Sequence, residues 1–339
     1  MRRLTTRLLL TISASCACFA VARAGVTSPG SLLVFPSWDN TPGTLTLVTV
    51  TNTNKDFVTG AVDVEFVYVD GFTCQEFNRT RSLTPADELT VATFFDDPST
   101  SMGYLYCFAK SHATGQAIKF DWLIGSSITL TSAISTAFET PPFVFKAGAA
   151  LAEGAPTDIN SDGIRQFNGI EYELLPDKLE FPSFAGVNGN FNDELVLINL
   201  TGGQQFTALV DFLVYNDNEQ AFSVQYTFTC WVRVALTSIS PVFSDSFLKT
   251  TNDSPTEIAG VPAAPDFGWF QIDGDTATSA GTQFIDPAIL AARRIIFKNG
   301  VLIPYQGNPV NTRSFCSALP FGLGTQANGA LLSHTLLGD

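Results

Sequence analysis

The sequence predicts an all-β protein made of two tandem immunoglobulin-like β-sandwich domains related by internal duplication. Three observations predict this fold. Apolar and polar residues alternate along many short segments, turn sequences separate these segments, and short blocks recur in the same order in both halves of the chain. Hydrophobic residues make up 45% of the 339 residues and charged residues only 15%, which is typical of a globular chain with a sizeable core.

Two segments show the alternation most clearly. In Val62–Tyr68, Val and aromatic residues occupy every second position, and the acids Asp63 and Glu65 lie between them. Ile118–Ile124 alternates in the same way around two charged residues. Because successive side chains of a strand point to opposite faces, we expect both segments to be half-buried strands of antiparallel sheets.

Helical periodicity is nearly absent from the sequence, and the last third of the chain contains one turn signal and one helix signal of note. Asn299-Gly300 separates two apolar runs and predicts a tight hairpin. Asp286 followed by Pro287 is a helix-start signal and indicates a short helix over Asp286–Arg294. The repeat described next favours a strand at the start of that segment, so both interpretations stay open.

Short blocks recur at three offsets. Phe-Pro-Ser at 35–37 returns at 181–183, with an offset of 146 residues, and Gly103 corresponds to Gly268 with an offset of 165 residues. Between them, Phe-Thr-Cys at 72–74 returns with an offset of 156 residues. Since the offset only grows along the chain, insertions explain it.

The repeat predicts the domain organisation. We expect a signal peptide at 1–24, a first β-sandwich domain at 25–146 and a second at 177–339. The segment 147–176 fits neither copy and is rich in Ala, Gly, Asp and Asn, so we interpret it as an Asp/Gly-rich linker.

The first 24 residues resemble an export signal. A basic start and an apolar run lead to Ala22-Arg23-Ala24, a small-x-small cleavage site. The run is too short and too polar for a membrane-spanning helix, and we expect no membrane span after cleavage. The sequence therefore predicts an exported protein that is periplasmic, cell-surface or secreted. A retained anchor and a lipid anchor at Cys16 or Cys18 are the alternatives.

Charge and motif content exclude several function classes. The formal net charge is −14, so the chain repels phosphate backbones, and we expect no nucleic-acid partner. The sequence contains no GxSxG, HExxH, phosphate-binding Gly-rich loop or dinucleotide fingerprint. We therefore predict that the protein is not an enzyme.

Four cysteines follow the signal segment. An even number in an exported chain indicates disulfides, although four cysteines allow three connectivities. Cys74 and Cys230 both follow Phe-Thr and are expected to be equivalent in the two copies. We therefore predict one bridge inside each domain, Cys74 with Cys107 and Cys230 with Cys316.

A short acidic motif is the only cofactor candidate. Asp158, Asn160 and Asp162 alternate and are followed by Gly163, which resembles the start of a calcium-binding loop. The twelfth position is Gly169, so the usual bidentate acid is missing. The sequence predicts at most a weak calcium site, and the alternative is an Asx-rich turn that binds no metal.

Two of the four tryptophans are candidate ligand-binding residues. Trp231 is expected to face outward beside Arg233, since its two neighbours are expected to face inward. An outward Trp next to Arg can stack on a sugar ring or on another protein. Trp38 is the second candidate. The alternative is that the linker or the other domain covers Trp231, and Trp122 is expected to be in the core.

The blocks FPSWDN at 35–40 and DGFTCQEFNRT at 70–80 resemble a family of exported bacterial proteins. The resemblance implies export and a β-rich fold, and it implies no activity. We predict an exported non-enzymatic protein with a structural or surface-interaction role, whose partner is a cell-surface protein or a carbohydrate. The alternatives are a carbohydrate- or ligand-binding module that uses exposed Trp, and a hydrolase. The sequence leaves the oligomeric state open.

Overall fold

The computed structural model describes residues 28–99, 101–131, 136–188, 191–201, 205–251, 265–297 and 315–331. The signal segment 1–24 and the hairpin at Asn299-Gly300 lie outside these ranges. Among the described residues, no helix is long and apolar enough to cross a membrane.

The first half of the chain forms two antiparallel sheets. Its elements are β1 (Leu32–Asp39), β2 (Thr44–Asn52), β3 (Val62–Asp70), β4 (Glu76–Leu83), β5 (Glu88–Ala92), α1 (Thr93–Asp96), β6 (Met102–Lys110), β7 (Leu123–Thr131), β8 (Thr136–Thr140) and β9 (Phe143–Phe145). The five-stranded sheet has the order β4-β3-β6-β1-β9, and the four-stranded sheet has the order β5-β2-β7-β8.

The second half forms two more sheets. Its elements are β10 (Lys178–Ala185), β11 (Phe191–Asn199), β12 (Thr207–Tyr215), β13 (Ala221–Thr229), β14 (Trp231–Ala235), α2 (Leu236–Ile239), α3 (Asp245–Thr251), β15 (Phe267–Ser279), β16 (Thr282–Ile285), β17 (Ile289–Phe297), β18 (Phe315–Ala318) and β19 (Phe321–Leu323). One sheet has the order β13-β12-β15-β10-β19 with β16 added to β15, and the other has the order β14-β11-β17-β18.

The protein is all-β, but the prediction of two immunoglobulin-like sandwiches is wrong. The strands form four small sheets in the arrangement of a four-bladed β-propeller. The halves are not separate bodies, because Val34 and Tyr106 of the first half share a buried cluster with Ile198 and Leu290 of the second. A period-two pattern shows that a sheet has a buried face, but it does not specify which other sheet covers that face.

Among the described residues, three buried clusters hold the sheets together. One lies between the two sheets of the first half and a second lies between those of the second half. The third, which we call the shared core, contains residues of both halves. The segment 147–176 contributes Phe167, Tyr172 and Leu175 to the shared core, and all three are fully buried.

Because of the shared core, the strands β1, β3 and β6 of the five-stranded sheet are buried on both faces. Strand β3 contains the predicted strand Val62–Tyr68. This strand is buried on both faces rather than half-buried, and even Glu65 is only 3% exposed. The second predicted strand, Ile118–Ile124, differs in its position, because β7 begins only at Leu123. The predicted helix at Asp286–Arg294 is wrong as well, since strand β17 occupies most of that segment.

The Phe-Pro-Ser blocks occupy the same place in the two halves. In β1 the pairing with β6 shifts between Phe35 and Trp38, and in β10 the pairing with β15 shifts between Phe181 and Phe184. Both blocks are therefore β-bulges. A bulge tolerates proline because it leaves a residue outside the hydrogen-bonded ladder.

The predicted disulfides are wrong, because Cys74 is bonded to Cys230 with a Cα–Cα distance of 6.0 Å. Cys74 belongs to the shared core, whereas Cys107 is buried in the first-half core, on the opposite face of the same sheet. Cys107 is free and Cys316 lies on β18. The two Phe-Thr-Cys blocks are also not equivalent, since Cys74 precedes β4 and Cys230 follows β13.

Candidate functional site

The predicted ligand-binding tryptophans are buried. Trp231 is only 5% exposed, and its indole Nε1 donates a hydrogen bond to the backbone oxygen of Pro36 at 2.8 Å. Trp38 is fully buried and donates from Nε1 to the backbone oxygen of Tyr104 at 3.0 Å. The prediction that Trp231 faces outward is therefore wrong, and the alternative that the other half covers it is right. A buried ring cannot stack on a sugar.

Arg233 has a structural partner across the two halves. Its Nη1 lies 2.8 Å from Oδ2 of Asp39. Although burial opposes it, hydrogen bonds from Thr41 and Arg233 lower the pKa of Asp39. Arg233 therefore belongs to the contact between the halves, together with Trp231.

The predicted calcium loop brings its three residues together, but donors of the protein occupy their oxygens. Arg165 Nη2 donates to Asp158 Oδ2 at 3.0 Å, and Asn160 Nδ2 donates to Asp162 Oδ2 at 2.8 Å. Backbone N–H groups of Asp162 and Gly163 also donate to Asp158. In the described part of the chain, no three His, Cys, Asp or Glu side chains are grouped to hold a metal ion. Calcium binding remains a prediction.

An aromatic pair that the sequence analysis did not select lies on the outer face of the six-stranded sheet. Tyr215 and Trp269 are cross-strand partners on β12 and β15. Their rings are stacked, with centroids 4.1 Å apart and planes inclined by 4°. Their chain neighbours Val214 and Phe270 are fully buried, so the pair points away from the core, and Trp269 is 36% exposed.

Polar side chains continue this face along the strands. Gln271 follows Trp269 on the same side of β15 and donates from Nε2 to Oε1 of Glu180 at 3.2 Å. One step further, Lys178 Nζ lies 2.5 Å from Asp273 Oδ2. Successive steps on one side of a strand are about 7 Å apart. We call the surface formed by these residues the tyrosine–tryptophan face; its members are Lys178, Glu180, Asp211, Leu213, Tyr215, Trp269, Gln271 and Asp273.

Carboxylates dominate the electrostatics at the Lys178 end of the face. The hydrogen bond and the charge of Asp273 raise the pKa of Lys178, which keeps the ammonium group protonated. Burial and then the neighbouring Asp177 raise the pKa of Asp286 to about 6. This end of the face therefore carries one cation among several acids.

The first half has an apolar counterpart of this face at the same register. There, β1 and β6 pair Leu32 with Phe108 and Val34 with Tyr106. The second half has polar residues at the corresponding ladder positions, where Lys178 pairs with Asp273 and Glu180 with Gln271. The first-half face is buried in the shared core, whereas the second-half face meets solvent. At the position where the first half has Tyr104, the aromatic character is retained as Trp269.

A second exposed tryptophan lies on the first half. Trp122 is 42% exposed, so the expectation that it belongs to the core is wrong. It precedes β7, and its indole Nε1 donates to Oε1 of Glu153 at 3.0 Å. It lines a shallow depression with Asn54 and Lys55, away from the tyrosine–tryptophan face.

No protein-family model and no curated protein matches this chain. Among solved structures, the chain is similar to Thermotoga maritima 1070, with 8% identity and a TM-score of 0.26, over 44% of this chain and 97% of that one. It is also similar to the apo form of the Pleurotus ostreatus lectin, with 12% identity and a TM-score of 0.13, over 88% of this chain and 95% of that one. Both TM-scores are too low for an argument about fold or function.

Proposed function

We propose that the protein is an exported, non-catalytic binding protein that binds polysaccharide through the tyrosine–tryptophan face. The observation that carries this proposal is the stacked Tyr215–Trp269 pair, exposed on a face that combines polar side chains with the apolar Leu213. Exposed aromatic area of this kind is costly in water, and its retention beside charged residues favours a ligand with both apolar and polar surfaces.

The chemistry of the face matches a sugar chain. An aromatic ring packs against the C–H groups of a pyranose, while amide and carboxylate groups bind its hydroxyls. Gln271, Glu180 and Asp211 provide such groups within one or two strands of Trp269. A sheet surface offers these groups in a row, which suits an extended chain better than a single small molecule.

Export is part of the proposal and has two supports. The first 24 residues resemble a cleavable signal. The bond between Cys74 and Cys230 is a structural disulfide, which is typical of proteins in oxidising compartments.

Contact with a cell-surface protein is the second candidate function, because a different exposed surface favours it. Ile124, Ile128 and Leu130 lie on one side of β7 and are 40%, 36% and 38% exposed. Exposed apolar side chains that share one face of a sheet are typical of protein contact sites.

The test is a glycan and polysaccharide array probed with the purified chain, followed by affinity measurements. We expect saturable binding that Trp269→Ala weakens by at least about tenfold, as loss of an aromatic anchor does. Trp122→Ala is the matched control and is expected to bind like the parent protein. An array without any bound glycan, or equal binding by Trp269→Ala and the parent, would contradict the proposal.

A further inference from the structure

A small cavity lies in the first half, beside the end of β6. It has a volume of about 280 Å³, and Phe108, Lys110 and Arg165 are among its lining residues. Its walls come from the turn that follows β6 and from the segment 156–165, which are connected by backbone pairing between Ile118 and Pro156. The two walls are therefore held in a fixed relation to each other.

Arg165 is an unusual residue for such a wall. It is only 4% exposed, and its guanidinium lies over the ring of Phe108 at 4.9 Å from the centroid. Its Nη2 donates to Asp158 at 3.0 Å, but its Nε has no hydrogen-bond partner among the described residues. A buried charged donor without an acceptor is costly, so this N–H favours binding of an acceptor from outside the chain.

The second cation of the cavity is also held in place. Lys110 Nζ lies 2.8 Å from Oε2 of Glu65, and both side chains are largely buried. The two ion pairs, Lys110 with Glu65 and Arg165 with Asp158, hold both basic groups at the wall while leaving N–H donors of each without a bonded carboxylate. Asp158 also lines the cavity and Glu65 balances the charge of Lys110, so the cavity offers a hydrogen-bond donor of Arg165 rather than an excess of positive charge.

We propose that this cavity binds a small carboxylate, such as a hydroxy acid or a single sugar acid, with Arg165 as its anchor. A carboxylate accepts some of the strongest hydrogen bonds that a guanidinium donates, because both groups are charged. The volume lies just below the usual range for ligand sites, so it suits a monomer better than a chain. The cavity is separate from the tyrosine–tryptophan face, and this proposal does not depend on the proposed function.

The test is isothermal titration calorimetry of the full chain with D-glucuronate, and with D-glucose as the neutral probe. We expect glucuronate to bind with a dissociation constant of about 1 mM or below, as is usual for a ligand of this size, and glucose to give no saturable heat. Arg165→Gln is expected to weaken glucuronate binding by at least about tenfold, because it removes the charged donor.

A second variant tests the proposal even if Arg165→Gln does not fold. Thr114 is an exposed lining residue of the cavity, so Thr114→Trp is expected to fill the entrance and abolish binding without changing Arg165. Thr59→Trp, on another exposed turn, is the matched control and should bind like the parent protein. Absence of saturable glucuronate binding, equal binding of glucose, unchanged binding by Thr114→Trp, or loss of binding in Trp269→Ala would overturn the assignment.

Discussion

Cys74 and Cys230 are bonded to each other across the shared core, and 156 residues separate them in the chain. Cys74 lies in the turn between β3 and β4, and Cys230 lies at the junction of β13 and β14. Both have positive φ angles, 58° and 55°, a conformation uncommon for residues other than glycine. The bond therefore ties a turn of the first half to a turn of the second, beside the ring of Trp231.

Loss of this disulfide is expected to destabilise the protein. A bond that closes so long a loop restricts the unfolded chain strongly, and removing a native disulfide typically costs about 2–5 kcal/mol. We expect Cys74→Ser with Cys230→Ser to lower the free energy of unfolding in urea by this amount. Non-reducing peptide mapping of the parent protein should give one peptide pair that contains Cys74 and Cys230.

Cys107→Ala is the control for this prediction. A reducing agent is expected to lower the stability of this variant as much as it lowers that of the parent protein, because Cys107 is free and the disulfide is intact in both. Equal unfolding curves with and without reductant in the parent, or a mapped bond that involves Cys107, would contradict the assignment.

The sequence predicted the all-β class because period-two alternation depends only on neighbouring residues, but of its two named strands only Val62–Tyr68 lies wholly within a strand. It did not predict the bulges of β1 and β10, although the Phe-Pro-Ser blocks that form them recur in the sequence. It could not predict that the outer face of β6 packs against the second half, since Tyr104 and Tyr106 have the same pattern whichever sheet covers them. The same limit explains the disulfides, because Cys107 and Cys74 belong to cores on opposite faces of one sheet.

The candidate site was partly within reach of the sequence. In the segment Trp269–Asp273, polar or amphipathic residues alternate with the buried Phe270 and Ile272, so the outward direction of Trp269 was available from periodicity. The pairing with Tyr215 was not, since it depends on the register between β12 and β15. For Trp231, the alternation pattern gave a wrong prediction of exposure, because a residue that faces away from the core of its own half can face the shared core.

Trp231 is expected to be one of the most sensitive residues for stability. Its ring lies so close to Gly71 that a Cβ added there would be 2.4 Å from a ring carbon. We expect Trp231→Ala to cost about 3–5 kcal/mol through the cavity it leaves, and Gly71→Ala to destabilise through overpacking. Urea unfolding of both variants measures these effects.

Trp122→Ala is the matched control for Trp231→Ala, because Trp122 is substantially exposed and belongs to no buried cluster of the described residues. It should change the free energy of unfolding by less than about 1 kcal/mol. Similar losses for the two tryptophans would contradict the view that Trp231 fills the contact between the halves.

Calcium is expected to bind the segment 158–163 only weakly. The carboxylate of Asp158 already accepts a hydrogen bond from Arg165, and that of Asp162 accepts one from Asn160. A cation must therefore displace these donors. We expect an affinity no tighter than about 0.1–1 mM, the range of weak extracellular sites. Calorimetry with Asp162→Ala as the comparison measures it, and a micromolar site in the parent protein would contradict this expectation.

The last prediction concerns Glu76, whose carboxyl lies beside the shared core. Burial raises the pKa of Glu76 from its ordinary value of 4.5 to about 7, although Tyr106 and Arg165 oppose the shift. The folded state therefore holds a proton on Glu76 that the unfolded state releases, so this group costs stability as the pH rises from 4.5 to about 7. We expect its contribution to fall by up to about 3 kcal/mol over that interval and to stay constant above it.

Glu76→Gln isolates this effect, because a neutral amide has no proton to lose. Urea unfolding between pH 4.5 and pH 7 should show a flatter dependence on pH for Glu76→Gln than for the parent protein. Burial also raises the pKa of Asp193, to about 6, so some slope of the same sign should remain in the variant. Glu88→Gln, at an exposed position on β5, is the control and should keep the parent slope. If Glu76→Gln and the parent lose stability in parallel over this interval, the buried carboxyl of Glu76 is not the group that titrates.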